Sequence, residues 1–242
     1  VLKILLFVLL LRAYVLQMSS VEGQSMEPTL HNGDYLLVER FTMSMNNMPD
    51  WLKSITPSAI MPRIKQGDIV VISSPENGNN ELVKRVLAVG GDRIFFYSER
   101  GTIWVNGKEL EEKNIGASIK KELGIAPSGT MRNYHLNDLP DRMPAHYRVS
   151  RDEFENAVEA NKLHEIGGQV PPGCLFIVGD NRKAGASNDS RAWSGIRIGG
   201  SSPGKPFNED HLWVAEKDVH GIVLFRVLPP WEYGADKPFV VR

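Results

Sequence analysis

Metal, redox and disulfide chemistry have little to work with in this chain. It holds a single cysteine, Cys174, so no internal disulfide can form, and neither H-E-x-x-H nor C-x-x-C occurs to hold a metal. Cys174 opens an apolar run, Pro-Gly-Cys-Leu-Phe-Ile-Val, where a thiol packs as a small hydrophobe. Nothing beside it in sequence would lower its pKa for catalysis. An extracytoplasmic location stays open, because disulfides are common there but not required. Excess charge is missing too: the formal net charge is −1, and no Lys/Arg-rich run or RNA-binding signature occurs. That excludes a broad nucleic-acid surface. No internal repeat or low-complexity tract is present. None of His31, His135, His146, His164, His211 and His220 sits in a familiar triad context. The G-x-S-x-G elbow is absent as well, since Gly23-Gln24-Ser25-Met26 is followed by Glu27.

What is present suffices for a packed core, with 42% hydrophobic and 24% charged residues among 242. Residues 1–11 are apolar apart from Lys3 until Arg12 interrupts them. That run is shorter than the roughly 20 residues of a spanning helix, and no small-x-small cleavage site follows it. Residues 1–17 are therefore expected to be the end of a membrane anchor whose upstream part precedes Val1, and 18–23 a polar link. Alternation and β-branched content predict strands at 34–41, 67–72, 82–89, 174–178 and 221–227. A hairpin is expected over 93–97 and 102–105, ended by Asn106-Gly107. Residues 110–170 are charged and lack strong alternation. They contain candidate helices at 118–123 and 151–166, the second with Phe154, Val158 and Leu163 on one face. Residues 195–206 are a Gly/Ser/Pro-rich loop. The fold class is mostly β: an antiparallel β barrel or sandwich catalytic core in two parts, 18–109 and 171–242, around an α+β insertion or cap at 110–170.

Three polar clusters could carry chemistry. In Gly23-Gln24-Ser25-Met26-Glu27-Pro28-Thr29-Leu30, a serine sits on a stiff bend; an ordinary turn serine is the plain alternative. In Leu82-Val83-Lys84-Arg85-Val86-Leu87-Ala88, alternation puts Lys84, Val86 and Ala88 on one face and Val83, Arg85 and Leu87 on the other. Lys84 then points into an apolar interior, or else is a solvated edge-strand lysine. Gly179-Asp180-Asn181-Arg182 with Ser187-Asn188-Asp189-Ser190-Arg191 is either a polar scaffold or a hydrated surface loop.

In this order, Ser-Met-x-Pro-Thr-Leu, Lys-Arg-Val with Gly-Asp downstream, and Gly-Asp-Asn-Arg with Ser-x-Asp-Ser-Arg resemble type I signal peptidases. Val170-Pro171-Pro172-Gly173 and Val219-His220-Gly221-Ile222-Val223 resemble flanking segments of that family. The resemblance implies Ser25 as nucleophile and Lys84 as general base. Ser187 would orient the lysine, and Asp180, Arg182, Asp189 and Arg191 would scaffold the site. Two departures stand out. Gly23 replaces a hydroxyl residue common in the family, so the oxyanion hole, at Ser25 (backbone) and Gly23, leans on the Ser25 N–H. The residues Lys183-Ala184-Gly185-Ala186 lengthen the last cluster.

A free lysine titrates at about 10.4, so only about one in a thousand is neutral at pH 7. Burial can pull that value down by about 3–5 pH units, and the Val and Leu neighbours of Lys84 suit such a pocket. The implied reaction uses no metal and no cofactor. Its partners would be exported preproteins with small, Ala-x-Ala-like residues before the cut, and a lipid bilayer, with no nucleic acid. The implied location is the plasma membrane, catalytic domain on the extracytoplasmic side. Residues 41–61, with Met43, Met48, Trp51, Leu52 and Ile55, suit either membrane contact or a loop folded on the core. Two other readings stay open: a different Ser–Lys peptidase, such as a pilin processor or a LexA-like repressor, and a catalytically dead, membrane-tethered peptide-binding domain.

Overall fold

Runs such as Ile-Val-Val-Ile and Cys-Leu-Phe-Ile-Val are stiff at χ1 and pack well on a pleated surface. In the computed structural model they become strands. The structure describes residues 16–41, 43, 51, 54, 63–74, 80–97, 102–110, 148–149, 151–160, 168–181, 187, 189–193 and 212–227. Its strands are β1 (Leu16–Ser20), β2 (Tyr35–Glu39), β3 (Ile69–Ser73), β4 (Glu81–Val89), β5 (Arg93–Tyr97) and β6 (Thr102–Val105). They continue with β7 (Lys108–Glu109), β8 (Arg148–Val149), β9 (Gly168–Gln169), β10 (Cys174–Val178), β11 (Val214–Ala215) and β12 (Val219–Val227). Helices α1 (Arg151–Glu159) and α2 (Ser190–Trp193) are short.

Seven strands form one sheet in the order β1-β2-β12-β3-β4-β10-β11, with every neighbouring pair antiparallel. The mostly β, antiparallel class expected from the strand spacing is the one that forms. β12 comes last in sequence yet lies between β2 and β3, so the near-terminal strand joins the two early pieces of the core. A second sheet runs β7-β6-β5-β8, with β9 also on β5. It takes up residues 93–109 together with short strands from the region between 110 and 170.

Two turns of the form x-x-Gly-Asp lead into β2 and β3. In His31-Asn-Gly-Asp34 and Lys65-Gln-Gly-Asp68 the glycine is the third turn residue, at φ 89° and 92°. A side chain is disfavoured there. The Asp N–H donates to the carbonyl three residues back at 3.0 and 3.1 Å. Its carboxylate accepts the N–H of that same residue at 2.8 and 2.9 Å.

β4 is central, between β3 and β10, and residues 84 to 88 are all buried. The pairing with β10 skips between Phe176 and Ile177, so Leu87 is an extra residue. This bulge lets the adjacent Leu87 and Ala88 both join the cluster of Ile94, Ile103, Phe176 and Val178, while Val86 packs with Val70, Ile72 and Ile177. A third cluster gathers Met26, Leu30, Leu36, Ile69, Val71 and Val223.

Two local expectations are corrected. Residues 18–20, read as a polar link, extend β1 and pair with β2; an edge strand needs a partner on one side only, so its polar residues stay solvated. On α1, Val158 is 48% exposed and Ala157 is the buried residue at 7%. The helix meets the small sheet through Phe154, edge-on to Trp104 at 5.2 Å, and the i, i+3 neighbour of Phe154 faces the same way. Of the expected anchor at residues 1–17, Leu16 and Gln17 belong to β1 and pair with β2, and residues 1–15 lie outside the described residues, as do Leu163 and nearly all of residues 42–62 and 195–206. Among the described residues no helix is long and apolar enough to cross a membrane.

Candidate active site

The loop from Val21 to Asp34 joins β1 to β2 and is closed at its base. Val21 N–H donates to Asp34 O at 2.8 Å and Gly33 N–H to Val21 O at 2.9 Å. Met26 and Leu30 are buried beneath it. These apolar anchors fix the loop that carries the half-buried Ser25. At the loop's foot Asp34 forms a buried ion pair with Arg226 of β12, at 3.1 Å.

Lys84 enters from β4, opposite Val70 on β3, and only 1% of it is exposed. Its Nζ lies 2.9 Å from Ser25 Oγ and also 2.9 Å from the Val83 carbonyl. A primary amine held by a carbonyl and a serine hydroxyl, with water kept away, can exchange a proton with that hydroxyl.

The neighbouring Arg85 turns to the other side of the strand and meets Asp180, which is 0% exposed. Arg85 Nε and Nη2 donate to the two carboxylate oxygens at 2.9 and 2.7 Å, a fork-to-fork pair, and Nη1 donates to Gly67 O at 2.8 Å. Thr29 Oγ1 donates to the same carboxylate at 2.5 Å. Asp180 therefore ties the Ser25 loop to the strand carrying Lys84. Asn181 adds a second tie: its backbone N–H donates to Ser25 O and its Nδ2 to Gln24 O, both at 3.0 Å.

Behind these, Asp189 accepts the Gly179 N–H at 3.0 Å and Ser190 Oγ accepts the Ile177 N–H at 3.1 Å. Both hold the end of β10. Gly179 is tightly surrounded: a Cβ there would overlap Ser187 Oγ and the Ser25 carbonyl oxygen.

Ser187 thus reaches the site, but the hydrogen bond expected between it and Lys84 is not formed. Its Oγ is buried and has no hydrogen-bond partner among the described residues, and the Val83 carbonyl occupies one donor of the amine instead. Gly23 also differs from expectation. Its N–H is donated to Asn32 Oδ1 at 2.9 Å, which takes it away from any oxyanion. The Ser25 N–H donates no hydrogen bond among the described residues. Arg182 lies outside the described residues. Arg191 lies on α2, and its side chain is outside the described part. Burial, followed by the charges of Glu216 and Asp218, raises the pKa of the Cys174 thiol; this is the opposite of an activated nucleophile.

A family model described as "Signal peptidase, peptidase S26" matches residues 1–227. The chain belongs to the signal peptidase family S26. Among named relatives, signal peptidase I of Pseudomonas aeruginosa is 29% identical over 195 residues, covering 81% of this chain and 61% of that protein. Signal peptidase I of Aquifex aeolicus is 30% identical over 219 residues, covering 78% and 74%. That of Bacillus caldolyticus is 28% identical over 190 residues, covering 78% and 76%. The chain thus spans 61% of the length of the Pseudomonas relative.

In this S26 chain three further residues, to which the motifs alone assign no role, complete the site. Arg85, Thr29 and Asn181 all lie inside the quoted boxes. Arg85 meets Asp180 because β4 stands beside β10, and Thr29 and Asn181 join the β1–β2 loop to the end of β10; no local pattern states either approach.

Proposed function

We propose that the chain is a membrane-bound serine endopeptidase that removes N-terminal signal peptides from exported preproteins through a Ser25–Lys84 dyad. The observation that carries this is the 2.9 Å approach of Ser25 Oγ to a lysine amine that is 1% exposed. Exclusion of water disfavours an ammonium ion, which is the condition for Lys84 to act as a base. The neutral amine gives one N–H to the Val83 carbonyl and turns its lone pair to the Ser25 hydroxyl.

The hydroxyl proton passes to Nζ as Oγ attacks the scissile carbonyl, and the developing oxyanion takes the Ser25 N–H. Lys84 then protonates the leaving amine, leaving an acyl-enzyme on Ser25. A water molecule that gives its proton to the same amine hydrolyses this ester. Ser187, buried and without a partner among the described residues, turns its hydroxyl to Lys84 once the serine is acylated and the Ser25 contact is lost. An unpaired buried hydroxyl costs about 1–3 kcal/mol, and such a cost is most readily retained where the group acts. Asp180 and Asp189 hold the scaffold, and the family resemblance assigns Arg182 and Arg191 to it as well. No metal or cofactor enters this scheme. The preprotein adds to the core as an extended strand, with small residues before the cut. The catalytic part faces the extracytoplasmic side of the plasma membrane.

Cleavage-site mapping by mass spectrometry in a mixture of exported precursors tests the reading, with Ser25→Ala as control. Cuts after Ala-x-Ala-like ends, absent in the control, are expected. A control that cuts at the same positions would remove the proposal.

A further inference from the structure

Away from the dyad, the large sheet assembles a second hydroxyl with a base. Ser73 at the end of β3 lies directly opposite Glu81 at the start of β4. On the other side of β3, the pairing with β12 skips between Val219 and Gly221. His220 is thus the extra residue of a bulge, a device that re-aims a side chain out of the ladder. The result joins three adjacent strands: His220 Nε2 is 2.8 Å from Ser73 Oγ, and His220 Nδ1 is 2.8 Å from Glu81 Oε1. A carboxylate only accepts hydrogen bonds, so Nδ1 carries the imidazole proton and Nε2 is left to accept from the serine. Glu81 is three residues from Lys84, about 10 Å along the strand, and of the opposite parity, hence on the opposite face. The side chains of His220 and Glu81 are 35% and 43% exposed, so small molecules can reach them.

We infer that Ser73, His220 and Glu81 form a second nucleophilic site, independent of Ser25, which hydrolyses small activated carboxylic esters. His220 takes the proton of Ser73 as Oγ bonds to the ester carbonyl carbon. Collapse of the adduct breaks the bond to the leaving oxygen, which receives that proton from His220. Water then attacks the acyl-serine with His220 again as base, releasing the carboxylic acid and restoring Ser73. Glu81 holds the imidazole tautomer and balances the imidazolium formed in each half. The next backbone N–H, that of Ser74, is committed to Asn80 O at 2.8 Å. One missing oxyanion donor costs about 10²–10³ in rate, which confines the site to esters with good leaving groups and excludes peptide bonds.

The test uses the full chain carrying Ser25→Ala, so the dyad contributes nothing and failure here leaves the signal-peptidase reading untouched. The probes are p-nitrophenyl acetate and a fluorophosphonate, with adducts located by peptide mass spectrometry and folding of each variant checked by thermal melting. The expected result is a phosphonyl adduct on Ser73. Ester hydrolysis should fall by about 100-fold or more when Ser73→Ala or His220→Gln is added. Equal ester hydrolysis in all three proteins, with Ser73 unlabelled, overturns the inference.

Discussion

At the scale of single residues, the account rests on what burial does to charged groups. Asp180 and Arg85 are both withdrawn from water and satisfy each other. Removing one partner of such a pair strands the other, which typically costs about 3–5 kcal/mol. Asp180→Asn should therefore lower unfolding free energy by roughly that amount in urea titrations, and it should weaken cleavage because Thr29 and β4 lose their common tie. Wild-type stability in this variant would show that the pair holds nothing together. Cys174 offers a pH-dependent check. Burial raises its thiol pKa, with Glu216 and Asp218 adding to the effect, and only the thiolate is nucleophilic. Iodoacetamide should alkylate Cys174 more slowly at neutral pH than a free cysteine peptide, with the rate still climbing where the peptide has levelled off. A rate equal to the peptide's would contradict the buried environment.

At the scale of elements, the long strands were legible because β-branched runs bounded by Gly-Asp turns have few other conformations open to them. β3, β4, β10 and β12 fall within a few residues of where alternation puts them. The two-residue strands β7, β8, β9 and β11 carry too few residues to show a period, and β1 is an edge strand whose polar residues resemble a link. Lys84 and Ser25 could be named from their boxes. The partner of Arg85 could not, since it follows from β4 lying beside β10, a pairing of residues roughly ninety positions apart, and those of Asn181 could not, since they lie on the loop between β1 and β2. His220 was opaque for the same reason: its partners come from β3 and β4, and its aim comes from a bulge that sequence alternation does not mark. One prediction belongs at this scale. Gly179 ends β10 against Ser187 and the Ser25 carbonyl, with no room for a methyl group. Gly179→Ala should reduce kcat/KM by at least about 100-fold, as misplacement of reacting groups by about 1 Å does, with a much smaller change in melting temperature. Unchanged kcat/KM would mean that the close approach does not position the serine.

At the scale of the whole molecule, a sheet whose strand order departs widely from chain order brings three distant boxes to one place. It sets a serine loop, a buried lysine and a polar scaffold around them. The segment around Trp51 adds a surface question. Trp51 is 69% exposed, and an exposed indole suits a bilayer interface. Trp51→Ser with Leu52→Ser should weaken binding to liposomes in a co-sedimentation assay; equal binding would remove the membrane-contact reading of this segment.

The dyad itself is tested most directly by Lys84→Met, which keeps an apolar stem of similar size and removes the amine, with its proton exchange and its hydrogen bond to the Val83 carbonyl. Its cleavage of a purified preprotein should be measured beside its melting temperature. The account predicts a loss of roughly 10³-fold or more in kcat/KM, the scale of a general base, with a melting temperature equal to or above that of the unaltered chain, because a buried amine has become a hydrophobe. Cleavage at the unaltered rate by a folded Lys84→Met protein would contradict it.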